Sequence, residues 1–142
     1  MAAHRPLTVG AEFFLRGALA ASYLSACADR FGFWGAPGKA GVAWGNWQSF
    51  IDYVAVLNGF LPASFHPLLG WAATIAEIVI AIGLLFGWRL REFAAASGIL
   101  LLLFALTMTF ATGIKPPLDY SVWTASAASF LLAFQRKEAV RS

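Results

Sequence analysis

The chain has 142 residues, of which 60% are hydrophobic and 12% are charged, and its formal net charge at pH 7 is +3. This composition is too apolar for an ordinary soluble domain, and it predicts a polytopic protein of the lipid bilayer with one domain over residues 1–142. The basic residues lie at the ends of apolar runs and form no basic tract, so no nucleic-acid partner is expected. Because Cys27 is the only cysteine, an internal disulfide and a multi-cysteine metal site are both excluded.

The first predicted transmembrane span covers residues 9–28. Glu12 and Arg16 lie inside it at i, i+4 spacing, where they can pair along one helix face. Cys27 shares a face with Arg16 and Tyr23, so it should point into the bundle, either as a small apolar residue or as a redox group.

Residues 24–27 also resemble the cleavage box of a bacterial lipoprotein, in which small residues precede an acylated cysteine. Such a signal needs an uninterrupted apolar region after its positive start, and Arg16 leaves only residues 17–23 for it. Retention of the first span is therefore the preferred interpretation.

A long segment rich in aromatic residues, 29–67, follows the first span. Its glycines and proline between residues 32 and 45 predict a loop. From 47 to 61 apolar residues recur at helical spacing, which predicts an amphipathic helix along the membrane interface. Asn46 is the expected N-cap of this helix, and Pro62 is expected to end it.

Three further spans are predicted at 68–87, 93–113 and 118–134. The expected fold is therefore all-α, a four-transmembrane-helix bundle with an extra amphipathic interfacial helix in the long first outer loop. Small residues on the third span, including Gly98 and Ala105, and on the fourth span, including Ser121, indicate faces where helices approach closely.

The distribution of basic residues predicts the orientation. With four spans, both termini share a side with the turn between the second and third spans. That side carries six basic residues near span ends, against three on the other: Arg5, Arg89, Arg91, Arg136, Lys137 and Arg141 against Arg30, Lys39 and Lys115. The excess predicts that both termini are cytoplasmic.

Glu77 interrupts the apolar run of the second span near its middle. An unpaired ionised side chain at that depth costs roughly 2.5 to 3.5 kcal/mol, so Glu77 must be protonated, hydrated or paired. Arg16 has a similar predicted depth, and we expect it to pair with Glu77, with Glu12 as a second partner. Together with Tyr23 and Cys27 these residues form a candidate intramembrane polar site, either a structural staple or a site for a proton, a quinone head group or a small polar ligand.

A second candidate cluster is predicted at the outer face, where Asp29 and Arg30 end the first span and Lys115 and Asp119 flank the turn before the fourth. Arg30 is expected to pair with Asp119. Asp119 could equally serve only as a helix cap, because a carboxylate in the first turn meets the positive end of the helix dipole. The sequence contains no haem, zinc, dinucleotide or phosphate signature, and no metal or covalently bound cofactor is expected.

Several short motifs resemble the DoxX-like family of bacterial integral membrane proteins. They are ADRFGFWG at 28–35, AWGNW at 43–47, Glu77 ahead of GLLFG at 83–87, and GIKPPLDYS at 113–121. The resemblance implies a four-span bundle in the bacterial inner membrane. It also implies a link to quinone-dependent thiosulfate oxidation or to thiol and oxidative-stress complexes, and it assigns no catalytic residue.

Two hypotheses follow, and the sequence does not decide whether the protein is an enzyme. In the first, it is an accessory subunit of a membrane redox complex, with a quinone as ligand and the electron-carrying cofactor on a partner subunit. In the second, it is a non-catalytic scaffold, assembly factor or small-solute permease. The first hypothesis requires a pocket near Glu77, whereas the second predicts tight packing there or a polar path joining both faces. The oligomeric state is not predicted.

Overall fold

The computed structural model describes residues 5–141, with side chains over residues 5–135. Across these residues the regular secondary structure is entirely helical, which confirms the all-α class. The helices are α1 (Arg5–Arg30), α2 (Trp47–Leu57), α3 (Phe65–Phe86), α4 (Leu90–Thr112), α5 (Lys115–Asp119) and α6 (Val122–Arg141).

Two helix pairs form the bundle. In the first, α1 and α3 run antiparallel, since Arg16 contacts Leu84 near one end of α3 while Cys27 contacts Thr74 further toward the other. In the second, α4 packs along α6 over most of its length. Gly87 ends α3 in a left-handed conformation, with φ of 72°, and the tight turn that follows leads into α4.

The α4–α6 contact depends on small residues. A Cβ atom added at Gly98 would lie 2.8 Å from the ring of Phe130, and the Ser126 hydroxyl donates to the Gly98 carbonyl at 2.8 Å. Gly98 and Ala105 are thus on the close-packed face, as predicted. On the described part of α6 the buried small residues are Ser126, Ser129 and Ala133, and the predicted Ser121 lies outside the helix.

The short helix α2 lies against α3 and α4. Asn46 caps it as predicted, because its side chain accepts a hydrogen bond from the Ser49 N–H at 2.8 Å. Phe50, Ile51 and Val54 form a second apolar cluster on its inner face. The helix ends at Leu57, one turn before the predicted residue 61, and the chain then forms turns up to Pro62.

Within residues 5–141, α3 and α4 are the two helices long and apolar enough to cross a membrane, and α6 contains a shorter apolar stretch, Val122–Gln135. The last predicted span begins later than expected, because Pro116 and Pro117 start the separate short helix α5 instead. That α1 and α6 also cross a bilayer stays a prediction.

Candidate functional site

A buried ion pair between Arg30 and Glu77 joins α1 to α3. Each residue exposes only 3% of its surface. Arg30 Nη1 donates to Glu77 Oε2 and, at 2.7 Å, to the hydroxyl of Thr74. The Thr74 hydroxyl donates in turn to the Gly70 carbonyl at 2.8 Å. The pair is therefore hydrogen-bonded as well as charge-matched, as a buried ion pair requires.

The direction of helical side chains explains this pairing. In an α-helix, side chains lean toward the N-terminus of their own helix. Because α1 and α3 are antiparallel, Arg30 leans back along α1 toward Glu77, and Glu77 leans along α3 toward Arg30. The two side chains meet although their Cα atoms lie at different depths.

The predicted pair between Arg16 and Glu77 is wrong. Arg16 instead donates from Nε to the Leu84 carbonyl at 2.8 Å and from Nη2 to the Leu85 carbonyl at 3.1 Å. These carbonyls belong to the last turn of α3, where a cation meets unpaired acceptors and the negative end of the helix dipole. The predicted i, i+4 partner Glu12 is present, with 3.9 Å between its Oε1 and Arg16 Nη1.

Cys27 belongs to the Arg30–Glu77 site, and Tyr23 lies next to it. The Cys27 thiol is 3.9 Å from Glu77 Oε2 and 3.8 Å from Arg30 Nη1, and its predicted position inside the bundle is confirmed. The Tyr23 hydroxyl is 2.7 Å from the hydroxyl of Ser97, which is 2.8 Å from that of Ser129. Tyr23 thus connects α1 to α4 and α6.

Aromatic rings cover the Arg30 guanidinium on the side of α2. Its Cζ lies 4.0 Å from the ring centroid of Phe50 and 5.3 Å from that of Trp44. Such contacts favour a desolvated cation by about 2 kcal/mol. Neither Trp44 nor Phe50 was predicted as a site residue. The signal that could have indicated them is an arginine at the end of an apolar helix, directly before a loop rich in aromatic residues.

Asp29 fixes the loop that supplies Trp44. Its carboxylate accepts three backbone N–H groups, from Ala43 at 2.8 Å and from Trp44 and Gly45 at 2.9 Å each. Burial alone would raise the pKa of this carboxyl, but the three donors and the adjacent Arg30 outweigh it and lower the pKa below its ordinary value.

The predicted outer cluster does not assemble as one site. Arg30 pairs with Glu77 and not with Asp119, so that prediction is wrong. Asp119 instead pairs with Lys115 across one turn of α5, and their side chains are 54% and 82% exposed. Asp119 ends α5, so it is not in the first turn of the last helix as expected.

A half-open cavity of about 1470 Å³ lies beside the core that joins the α1–α3 pair to the α4–α6 pair, and α2 and its preceding loop also contribute to its wall. Arg30 and Glu77 are the charged residues in its lining, which is otherwise mainly apolar and includes Ala76, Leu100 and Met108. Arg16 and Glu12 do not line it. The structure therefore places Glu77 and Tyr23 of the predicted polar site in the wall of one cavity. Cys27 lies beside Glu77 but outside the lining, and Arg16 and Glu12 lie at the end of α3.

Comparison with known proteins found no matching family model, no matching curated protein and no matching solved structure. Within the described part of the chain, no group of three or more His, Cys, Asp or Glu side chains could hold a metal ion.

Proposed function

We propose that this protein is a four-span protein of the bacterial inner membrane, of DoxX-like type, and an accessory subunit of a quinone-linked redox complex. Its cavity would hold the quinone, and a partner subunit would carry the electron-transfer cofactor. The observation that carries the proposal is a large, mainly apolar cavity with the Arg30–Glu77 ion pair in its wall.

The distribution of polarity supports the location in a membrane. Along α3 the exposed residues form an apolar stripe that includes Leu68, Ile75 and Val79, while Thr74 and Glu77 are buried. Apolar patches of this extent on a protein surface indicate contact with lipid or with another protein. Intramembrane ionisable residues characteristically face the bundle interior, as Glu77 does.

The cavity supports a ligand that is mostly hydrocarbon with a small polar head. Typical small-molecule sites have volumes of about 300 to 1,000 Å³ and apolar walls with a few polar groups, and this cavity is larger. A quinone fits this description, since it combines a flat ring bearing carbonyl oxygens with a long apolar tail. The second hypothesis predicts tight packing near Glu77 or a polar path joining both faces. The cavity along residues 5–135 instead reaches Glu77 and has a mainly apolar lining, which supports the first hypothesis.

One observation favours a second candidate, a non-catalytic scaffold. Three groups of this chain, Cys27, Thr74 and Glu77, already contact Arg30 Nη1, so the ion pair could serve only to join α1 to α3. In that case the cavity would contain lipid chains without preference for a quinone.

The proposal is tested by purifying the tagged protein from its native membrane, extracting the bound lipids and measuring quinone by mass spectrometry, with identification of co-eluting subunits. We expect a quinone to co-purify at near-stoichiometric amounts together with at least one redox subunit. Recovery of the protein alone and quinone-free, without activity in thiosulfate or thiol assays, would contradict the proposal.

A pair of variants on α3 locates the quinone. Ala76→Phe adds a ring to the cavity wall, whereas Ile75→Phe adds one to a residue that is 57% exposed outside the cavity. We expect the first to reduce co-purified quinone several-fold and the second to leave it unchanged. Equal quinone content in both variants would place the quinone elsewhere.

A further inference from the structure

The guanidinium of Arg30 has unused hydrogen-bond donors. It carries five N–H groups, yet the hydrogen bonds that it makes with described residues all come from Nη1. Nε is buried without an acceptor. A buried charged donor left without a partner is costly, so this edge of Arg30 favours any acceptor that reaches it.

The charge balance of the cavity restricts what that acceptor can be. Glu77 already neutralises Arg30, and among residues 5–135 no other charged side chain lines the cavity. A carboxylate or phosphate head group would bring a second negative charge beside Glu77 into an apolar wall, with no cation left to pair with it. A neutral carbonyl oxygen accepts the same hydrogen bond without that cost.

The aromatic residues around Arg30 add a preference for shape. Trp44, Phe50 and Tyr53 line the same part of the cavity, with ring centroids 5.2 Å apart for Trp44 and Phe50 and 5.9 Å for Trp44 and Tyr53. Flat rings favour stacking or edge contacts with another ring. A planar head group is therefore better accommodated here than an ester on a flexible chain.

We propose that the unused edge of Arg30 binds a carbonyl oxygen of a neutral, planar head group, and that Glu77 makes the cavity reject amphiphiles with anionic heads. This inference rests on the proposed function, which requires only that an apolar ligand occupy the cavity. It adds the chemistry of the ligand's head group. Arg30 binds the oxygen of a neutral head group, and Glu77 disfavours a negatively charged one.

The test uses the detergent-solubilised full chain and three probes with alkyl tails of nearly equal length, ten carbons in the first two and nine in the third. They are a decyl-substituted benzoquinone, decylbenzene and decanoate, the last fully ionised at pH 8. Saturable quenching of tryptophan fluorescence reports quinone binding, and the other two probes are added as competitors. For the wild-type protein we expect the quinone to bind, decylbenzene to compete weakly and decanoate not to compete.

Two arginine variants separate the head-group contact from charge and stability. Arg30→Lys keeps the positive charge beside Glu77 but removes the planar, multi-donor edge. Arg16→Lys is the matched control, a buried arginine outside the cavity. We expect Arg30→Lys to weaken quinone binding about tenfold or more while decylbenzene competes as before, and Arg16→Lys to bind the quinone like the wild type.

Glu77→Gln tests the charge argument. The amide still accepts a hydrogen bond from Arg30 but no longer neutralises its charge, so decanoate should become an effective competitor.

Decanoate that competes as well as the quinone in the wild type, or equal quinone affinity in wild type and Arg30→Lys, would overturn the head-group assignment and leave the cavity proposal standing. Absence of saturable binding by the quinone and by decylbenzene would overturn the proposed function itself. If Arg30→Lys does not fold, the wild-type preference between quinone and decanoate still decides the matter.

Discussion

Arg30 and Glu77 are each about as buried as any residue in the core, so we expect the loss of either one to be destabilising. Removing one partner of a buried ion pair leaves a desolvated charge and costs about 3–5 kcal/mol. We expect Arg30→Met to lower the free energy of unfolding by about that amount. Combining it with Glu77→Leu should restore most of the loss, because a buried pair replaced by apolar residues of similar size is often neutral. Chemical unfolding in mixed detergent micelles measures both values.

The exposed pair of Lys115 and Asp119 provides the comparison. Its side chains are 82% and 54% exposed, so Lys115→Met should change the unfolding free energy by less than about 1 kcal/mol. A double variant at Arg30 and Glu77 that is no more stable than Arg30→Met alone would contradict the account of the buried pair. The hydrogen bonds to Thr74 would then be the larger contribution.

Asp29 should make the stability of the loop pH-dependent. The three backbone donors lower its pKa in the folded protein relative to the unfolded value of about 3.9. The unfolded chain therefore takes up the proton first as pH falls. The stabilisation is fully present above about pH 4 and is lost as pH falls through the lowered folded-state pKa. We expect the unfolding temperature, followed by tryptophan emission, to fall through this acid range.

The variant Asp29→Asn identifies the group responsible. It should lower stability at pH 7 by about 1–3 kcal/mol, because an amide offers one acceptor oxygen and no charge to the three N–H groups. Its deficit relative to the wild type should shrink progressively as pH falls below about 4. Asp52, on the exposed face of α2, is the control, and Asp52→Asn should retain the acid dependence of the wild type. A constant deficit for Asp29→Asn from pH 7 to pH 3 would rule out Asp29 as the titrating group.

At the scale of single residues, the sequence indicated that Glu77 and Arg16 are buried, but it paired them incorrectly and placed the buried Arg30 and Asp29 at the outer face. Glu77, Arg16 and Cys27 were recognised as interior residues, and all three are buried. The pairing was inferred from the depth of each residue, and depth ignores the lean of helical side chains toward their own N-terminus. Including that direction separates Arg16 from Glu77 and brings Arg30 to it.

At the scale of helices, the contact between α4 and α6 depends on Gly98. A methyl group there would meet the ring of Phe130 at 2.8 Å. We expect Gly98→Ala to cost about 1–3 kcal/mol, as overpacking usually does, and chemical unfolding in micelles measures it. Gly17 on α1 is the matched control, since a methyl group would meet nothing within 4 Å. Gly17→Ala should be neutral or slightly stabilising, because alanine favours the helix; equal losses in the two variants would refute the close-packing argument.

The positions of the helices were largely predictable from the sequence. The errors are at helix ends that are determined by tertiary contacts or by proline. Apolar periodicity and the Asn46 cap located α2, but periodicity continued to residue 61 while the helix ends at Leu57. The two prolines after Lys115 predict a turn that separates the third span from the fourth. They occupy the start of α5, where their fixed φ angle and missing N–H group are tolerated, and the last helix consequently begins at Val122.

At the scale of the whole molecule, the contacts of Arg16 show that α1 packs beside α3 in a different register from the one its predicted span implies. Arg16 lies at the last turn of α3, so the part of α1 beside α3 starts near residue 16 and not at residue 9. If α3 crosses the bilayer, Arg16 is then near one boundary, and the interior charges are Arg30 and Glu77. This arrangement removes Arg16 from the membrane core, where a charge is most costly.

The position of the termini distinguishes four spans from two. If only α3 and α4 cross the membrane, both termini lie on the same side as Lys39, opposite the turn that contains Arg89. If α1 and α6 also cross, the termini lie on the side of Arg89.

Single cysteines at Lys39, at Arg89 and at the C-terminus, in a Cys27→Ser background, report the side of each position by reaction with a membrane-impermeant maleimide in intact cells. With four spans and cytoplasmic termini, we expect labelling at Lys39 alone, since the basic residues of the other two regions favour the cytoplasm. Labelling of both Lys39 and the C-terminus, with Arg89 protected, would show that α6 does not cross the membrane and would contradict the four-span proposal.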